Sequence, residues 1–253
     1  MKLEYGAFTH KGNVRKLNED YYYIPTDDEE YEGLIMVADG MGGHNAGELA
    51  SRMVVENILK YYKKEKVKFN SKESVANFVC EAIVNANSTV FNYSKTDGAL
   101  SGMGTTLTLA YFYCGHLFIG HVGDSRGYLV RGGRIRQLTR DHSLVQELLD
   151  NGSITEDQVE NHPRKNIITR ALGAEDKVVV DCYDIALQNK DILILCTDGL
   201  THYVNLNENS DLFSSGFSMA EIASILGRKA LESGGTDNIT VVATQYSDGT
   251  EER

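Results

Sequence analysis

Short apolar runs bounded by glycine and aspartate alternate along this chain with longer stretches in which every fourth residue is apolar. Leu34-Ile35-Met36-Val37-Ala38 and Ile192-Leu193-Ile194-Leu195-Cys196 are continuous apolar runs of the kind expected for strands buried on both faces. Further strands are predicted over residues 3–9, 20–24, 105–113, 117–122, 127–131, 134–138, 178–185 and 239–245. The middle strands are separated only by Cys114-Gly115, Gly123-Asp124 and Gly132-Gly133, which predicts antiparallel hairpins. Ala46, Ala50, Val54, Ile58 and Tyr62 make one apolar stripe, and Val75, Val79, Ala82, Ala86 and Val90 make a second. Two amphipathic helices with core-facing stripes follow from that spacing. Another helix is predicted over 219–231, and residues 143–166 read as a polar, helix-prone insertion. Strands in runs with helices in separate pairs describe an α+β layered fold rather than a doubly wound dinucleotide-binding sheet.

At 253 residues, 42% hydrophobic and 24% charged, the chain can bury a sizeable core. It holds two prolines and no low-complexity linker or internal repeat. Residues 1–246 are therefore expected to form a single domain, with 247–253 a polar tail. The formal net charge of -11, without a long Lys/Arg run, argues against nucleic acid or an anionic membrane surface as partner. The first residues lack a signal peptide's apolar segment and no stretch reaches membrane-spanning length, so a soluble, cytoplasmic protein is expected. Cys80, Cys114, Cys182 and Cys196 form no close pair in the sequence and lie in apolar surroundings. Four buried thiols are expected, with neither a zinc site nor a disulfide framework.

Four acidic clusters carry the candidate chemistry: Asn18-Glu19-Asp20, Asp39-Gly40-Met41-Gly42-Gly43, Thr197-Asp198-Gly199 and Asp237-Asn238. A lone Asp-Gly pair is ordinary turn chemistry. Here two buried strands each run into such a pair. Carboxylates gathered from distant segments suit hard divalent cations, which take oxygen ligands and retain waters. Glycines beside them let backbone approach an ion closely. Other chemistries lack their residues: there is no phosphate-binding Gly-x-x-x-x-Gly-Lys-Ser/Thr loop, no His-Glu-x-x-His zinc motif and no Cys-x5-Arg nucleophile.

Arg15-x-x-Asn18-Glu19-Asp20, Asp39-Gly40-Met41-Gly42-Gly43-His44, Gly104-Thr105-Thr106, Gly123-Asp124-Ser125-Arg126, Thr197-Asp198-Gly199-Leu200 and Asp237-Asn238-Ile239-Thr240 resemble, in this order, the motifs of the metal-dependent type 2C protein serine/threonine phosphatases. The resemblance is strongest to the bacterial branch of this PPM family and spans nearly the whole chain. It implies an α/β/β/α sandwich of two antiparallel sheets flanked by helix pairs. It also implies two Mn²⁺ or Mg²⁺ ions bridged by Asp39, with the Gly40 carbonyl on one and Asp198 and Asp237 on the other. Asp20 and Glu19 would act through metal-bound waters. A third, weaker ion at Asp124 and Asp198 is implied by the bacterial members, whereas the residues alone read equally as a hairpin turn with a solvated Asp124. The implied reaction is hydrolysis of phosphoserine and phosphothreonine in proteins by a metal-bridging water or hydroxide. Phosphorylated proteins, a bacterial serine/threonine kinase and its substrates would be the partners.

Arg15 is the candidate phosphate clamp, because a guanidinium grips phosphate oxygens as a planar fork. Residues 139–172 resemble the flap of bacterial members. Arg164, Lys165 and Arg170 there offer positive charge to an acidic phosphoprotein, or else belong to a solvated helical hairpin. One departure stands out. Eukaryotic relatives carry a histidine after the Asp-Gly as a proposed general acid, and here Met41 has no proton to give. His44 reads as a structural residue at a helix start. Two other readings remain open: a two-metal hydrolase of small phosphate esters or one dedicated protein, which phosphopeptide and nucleotide panels would separate, and a silent binding module, which should have lost a direct ligand.

Overall fold

The computed structural model describes residues 1–25, 31–42, 46–159 and 162–249. Gly43 and His44 of the glycine-rich segment, and tail residues 250–253, lie outside the described residues. Strands β1 (Lys2–His10), β11 (Ile239–Ser247), β10 (Ile192–Cys196), β7 (Arg126–Arg131) and β8 (Arg134–Gln137) form one sheet in that order. The second sheet runs β2 (Asp20–Tyr23), β3 (Leu34–Met41), β5 (Leu107–Tyr113), β6 (His116–Val122) and β9 (Asp181–Ala186), with the short β4 (Gly104–Thr105) paired to the end of β3. All these pairings are antiparallel.

Strand periodicity explains why the two apolar runs are apolar throughout. Ile35 and Val37 of β3 point into the space between the sheets, where they meet Leu193, Leu195 and Val242. Their neighbours Leu34, Met36 and Ala38 point the other way, onto α1 (Ala46–Glu65) and α2 (Lys72–Ser94). Likewise Ile192, Ile194 and Cys196 face α6 (Met219–Glu232) on the opposite side. Successive side chains alternate between faces, and here both faces are covered. The result is helix, sheet, sheet, helix, with the predicted stripes of α1 and α2 buried. Capping boxes at Ser71/Ser74 and Ser218/Glu221 start α2 and α6.

Three expectations need correction. The strand predicted to stop at Ala38 continues through Met41, so Asp39 and Gly40 are ladder residues paired with Asp20 and Thr105 rather than turn residues. Gly123-Asp124 does not close a hairpin either. It carries the chain from β6 in one sheet to β7 in the other, with Gly123 at φ +113, where an added Cβ would stand 2.5 Å from the Thr106 side chain. The cysteines are the third case. Cys80 on α2 and Cys182 on the edge strand β9 are bonded sulfur to sulfur, and Cys114 is exposed, so only Cys196 is a buried free thiol. Their positions 102 residues apart concealed that α2 crosses the β9 edge.

Among the described residues of the segment 139–172 there are two short helices, α3 (Leu144–Asp150) and α4 (Glu156–Val159). Its start is tied by Asp141, which takes three hydrogen bonds of 2.6 to 3.0 Å from the Arg126 guanidinium. At its far end Leu172 exchanges backbone hydrogen bonds with Thr105. Arg170 donates to Asp181 at 2.8 Å, so this cation is consumed internally and is not offered to a partner.

Candidate metal centre

The carboxylates come from separate elements that the sandwich brings to one edge. Asp20 opens β2 directly across the ladder from Asp39 near the end of β3. Asp198 opens the one-turn α5 (Asp198–Thr201) where β10 ends, and Asp237 precedes β11. Asp124 lies in the crossover between the sheets. Repulsion from Asp20, Asp198, Asp124 and Asp237 all reaches Asp39, which marks the five as one cluster.

Hydroxyls on neighbouring strands hold these groups. Thr106 Oγ1 accepts from the Asp39 N–H at 2.9 Å, and Thr105 Oγ1 donates to the Asp39 carbonyl at 2.8 Å. Thr197 Oγ1 donates to Asp20 Oδ2 at 2.9 Å while accepting from the Thr240 N–H at 3.0 Å. Asn238 is a hub: its amide NH₂ donates to the carbonyls of Lys11 and Leu17, and its oxygen accepts from the Glu19 N–H. Asn238, Thr105, Thr106, Thr197 and Thr240 belong to the motifs but carry no role that the sequence reveals; their place at or beside the ends of apolar strands is the available signal.

Close backbone packing draws the segments together. A Cβ on Gly40 would lie 2.2 Å from the Gly47 carbonyl oxygen and 2.4 Å from that of Glu19. One on Gly199 would lie 1.9 Å from the Asn238 carbonyl oxygen. The Glu19 carboxylate accepts from the Gly47 N–H, at the start of α1. A carboxylate is favoured at a helix N-terminus.

Burial, reinforced by mutual repulsion, makes Asp20, Asp39, Asp124 and Asp198 hard to ionise. The Asp20 carboxyl is pushed up to about 7, first by burial, then by Asp198 and Asp237, against the lowering effect of its threonine hydrogen bonds. Asp124 rises to about 8 through burial and then Asp198. Asp39 is driven well above the carboxylate range by burial and then Asp20. Burial also raises Asp198, partly offset by His202 and by a hydrogen bond from Asp39. Arg15 donates to Asp237 Oδ2 at 2.8 Å, and that bond holds its guanidinium charged beyond the usual value.

Among the described residues no three carboxylate, imidazole or thiolate groups already close around a single point. Asp237 is turned to Arg15, and Asp39 is turned to Asp198. The donor set nonetheless suits hard divalent cations. It is all oxygen, and Oδ1 of Asp20 and Oδ1 of Asp124 are buried without a hydrogen-bond partner. Positive charge at this place would offset the burial and repulsion that oppose ionisation of these carboxyls.

A cavity of about 450 Å³ is lined by Asp124 and Asp198 together with residues of segment 139–172. Lys165, Glu156 and His202 also line it. Arg164 is exposed and does not line it. Of the three cations Arg164, Lys165 and Arg170, only Lys165 lines this cavity.

The profile of the family described as protein phosphatase 2C matches residues 10–233. The serine/threonine phosphatase stp of Listeria welshimeri is 42% identical over 237 residues, which are 94% of this chain and 93% of that protein. The crystal structure of the Mycobacterium tuberculosis serine/threonine phosphatase PstP/Ppp superposes with a TM-score of 0.86 at 35% identity, over 97% of this chain and 99% of the other. A catalytic domain of PstP in complex with two manganese ions superposes at 0.84 and 34% identity, over 97% and 99% of the chains.

Proposed function

This chain belongs to the protein phosphatase 2C family, and from that premise we propose that it removes phosphate from phosphoserine and phosphothreonine in proteins with the help of two Mn²⁺ or Mg²⁺ ions. It is a serine/threonine protein phosphatase, as its relatives are. The observation that carries the metal reading is the cluster of buried carboxyls with unpartnered oxygens on Asp20 and Asp124. Residues 1–246 are read as one phosphatase domain bearing a flap over 139–172.

Asp39, the Gly40 carbonyl, Asp198 and Asp237 are the proposed direct ligands. Asp20 and Glu19 would act through intervening waters, and Asp124 with Asp198 would hold a third, weaker ion. Bound there, the ions supply Lewis acidity toward the phosphate and toward water. The chain's own residues do the remainder. The threonine hydroxyls keep Asp39 and Asp20 in place. Arg15, already charged beside Asp237, forks onto phosphate oxygens and orients the ester. Lys165 meets the phosphoprotein along the flap wall. Met41 takes no part in proton transfer.

The reaction reverses the work of a serine/threonine kinase, so the partners we propose are that kinase and its phosphorylated substrates, in the cytoplasm. No helix among the described residues is long and apolar enough to cross a membrane.

The deciding experiment measures phosphate release from a phosphothreonine peptide with Mn²⁺, with Mg²⁺ and with chelator. Wild type should release phosphate only with metal, and Asp39→Asn and Asp198→Asn should lose at least about a hundredfold while remaining folded, the scale seen when an electrostatic catalytic group is removed. Near-normal turnover by Asp39→Asn would overturn the assignment.

A further inference from the structure

Resting on the reading of Asp124 as a ligand of the third, weaker ion, we propose that His142 is the positioning residue of that site. It holds both peptide groups of Gly123 and so sets the direction in which Asp124 leaves strand β6. Gly123 stands at φ +113, a backbone conformation open to glycine and strained for other residues. A glycine fixes nothing by itself, because it is the most permissive residue. Here the fixing comes from outside. His142 Nδ1 accepts from the Gly123 N–H at 3.0 Å, and the His142 N–H donates to the Gly123 carbonyl at 2.8 Å. That carbonyl belongs to the peptide that carries the Asp124 nitrogen. One residue therefore constrains the peptides on both sides of Gly123, while Oδ1 of the Asp124 they aim is buried without a hydrogen-bond partner.

His142 is itself held. Its side chain is 6% exposed. Its carbonyl accepts from the Thr169 N–H at 2.8 Å, which joins the two ends of segment 139–172. Its ring centroid lies 4.9 Å from that of His121, whose Nε2 is 3.2 Å from the Arg140 carbonyl oxygen. Burial keeps the His142 imidazole below its ordinary value, so the ring is neutral at pH 7 and Nδ1 has a lone pair to offer. With Nδ1 accepting, the ring proton sits on Nε2, 3.3 Å from Asp181 Oδ2. Arg170, 2.9 Å from the same Nε2, donates to Asp181 Oδ1 at 2.8 Å. A carboxylate behind a histidine decides which ring nitrogen carries the proton. Asp181, His142, Gly123 and Asp124 thus form one line of contacts from β9 to the carboxylate cluster.

The test titrates the full, metal-free chain with Mn²⁺ by calorimetry at neutral pH. Wild type should show a weaker class of site that D124N abolishes. H142N keeps an oxygen on Cγ, at the place of Nδ1, and should retain that class within about threefold, whereas H142Q carries its amide out to the reach of Nε2 and should weaken the class about tenfold or more. D181A, at a half-buried position, frees the ring to carry its proton on Nδ1; it should weaken the class at least about threefold and decides the question if H142Q does not fold. On a phosphothreonine peptide, H142Q should lower kcat/KM in the wild-type background yet add less than about twofold to D124N, because residues that act through one another are not additive. Thermal melts report which variants are folded.

An affinity of the weaker class within about twofold of wild type in folded H142Q, or in D181A where H142Q is unfolded, overturns the inference. Equal losses in H142N and H142Q overturn it too, as does a full further loss of turnover in H142Q/D124N. A wild type without a weaker class, or with one that D124N leaves intact, is a failure of the Asp124 reading itself and removes the inference with it.

Discussion

Replacing Asp20 by asparagine should make the metal-free protein more stable at pH 8, although it deletes a residue of the candidate centre. The Asp20 carboxyl has an ordinary value of 3.8 and is pushed up to about 7 in the fold, chiefly by burial. A native state with the higher pKa binds the proton more tightly than the unfolded chain does. The stabilising contribution is thus complete below pH 3.8 and is lost as pH rises, fully so above about 7. At about 1.4 kcal/mol per pKa unit, the gap corresponds to at most about 4 kcal/mol, of which about 2 kcal/mol falls between pH 5 and pH 7. Asparagine keeps the size of the side chain and carries no charge at either pH. Urea unfolding of both proteins in chelator, from pH 5 to pH 8, should show wild type losing on the order of 3 kcal/mol relative to the variant. Saturating Mn²⁺ should reverse the order, because a ligand that binds only the folded state stabilises it. Parallel pH profiles in chelator, within about 0.5 kcal/mol, would refute the claim that burial of this carboxyl strains the empty cluster.

Arg15→Lys should reduce kcat/KM on a phosphothreonine peptide about tenfold, since a lysine keeps the charge and loses the planar fork; steady-state rates that match wild type would count against the clamp. Lys165→Ala should slow phosphoprotein turnover more than hydrolysis of a small aryl phosphate, while Arg164→Ala changes either rate by less than about twofold, a contrast expected when one cation lines the cleft and the other is solvated. Equal losses in both variants, measured on both substrates, would deny the flap wall a docking role. Gly199→Ala would place a Cβ 1.9 Å from the Asn238 carbonyl oxygen, and should cost about 1 to 3 kcal/mol in denaturant unfolding as the backbone shifts to make room. An unchanged midpoint would mean that the Asp198 turn is looser than its packing indicates.

Local pattern made most of the layers legible. The four-residue spacing of Ala46 to Tyr62 and of Val75 to Val90 foretold two helices, because an amphipathic helix must bury one face. The unbroken run from Leu34 to Ala38 foretold a strand covered on both sides, which it is. Boundaries were less legible where polar residues belong to the ladder. Asp39 and Gly40 have turn chemistry, yet β3 carries them because Asp20 and Thr105 supply partners from elsewhere in the chain. Gly123-Asp124 has the look of a hairpin, and the sheet change there is decided by which distant strands β6 and β7 find, namely β9 and β10.

The same division holds for the chemistry. The kinds of group were readable from the motifs, since carboxylates and glycines at strand ends have few other uses than turns or hard cations. What each group does before a ligand arrives was not readable. Arg15 leans on Asp237, Glu19 receives the Gly47 N–H at the start of α1, Arg170 is spent on Asp181, and Cys80 meets Cys182. By itself the sequence determined the helices, the buried strands, the order of the motifs and the oxygen-donor character of the centre, because these depend on neighbours within a few residues. Only the tertiary structure decided which carboxyls crowd together and resist ionisation, and which cation reaches the cleft. Those outcomes depend on distances between segments far apart in the chain, and burial and Coulomb repulsion act through those distances.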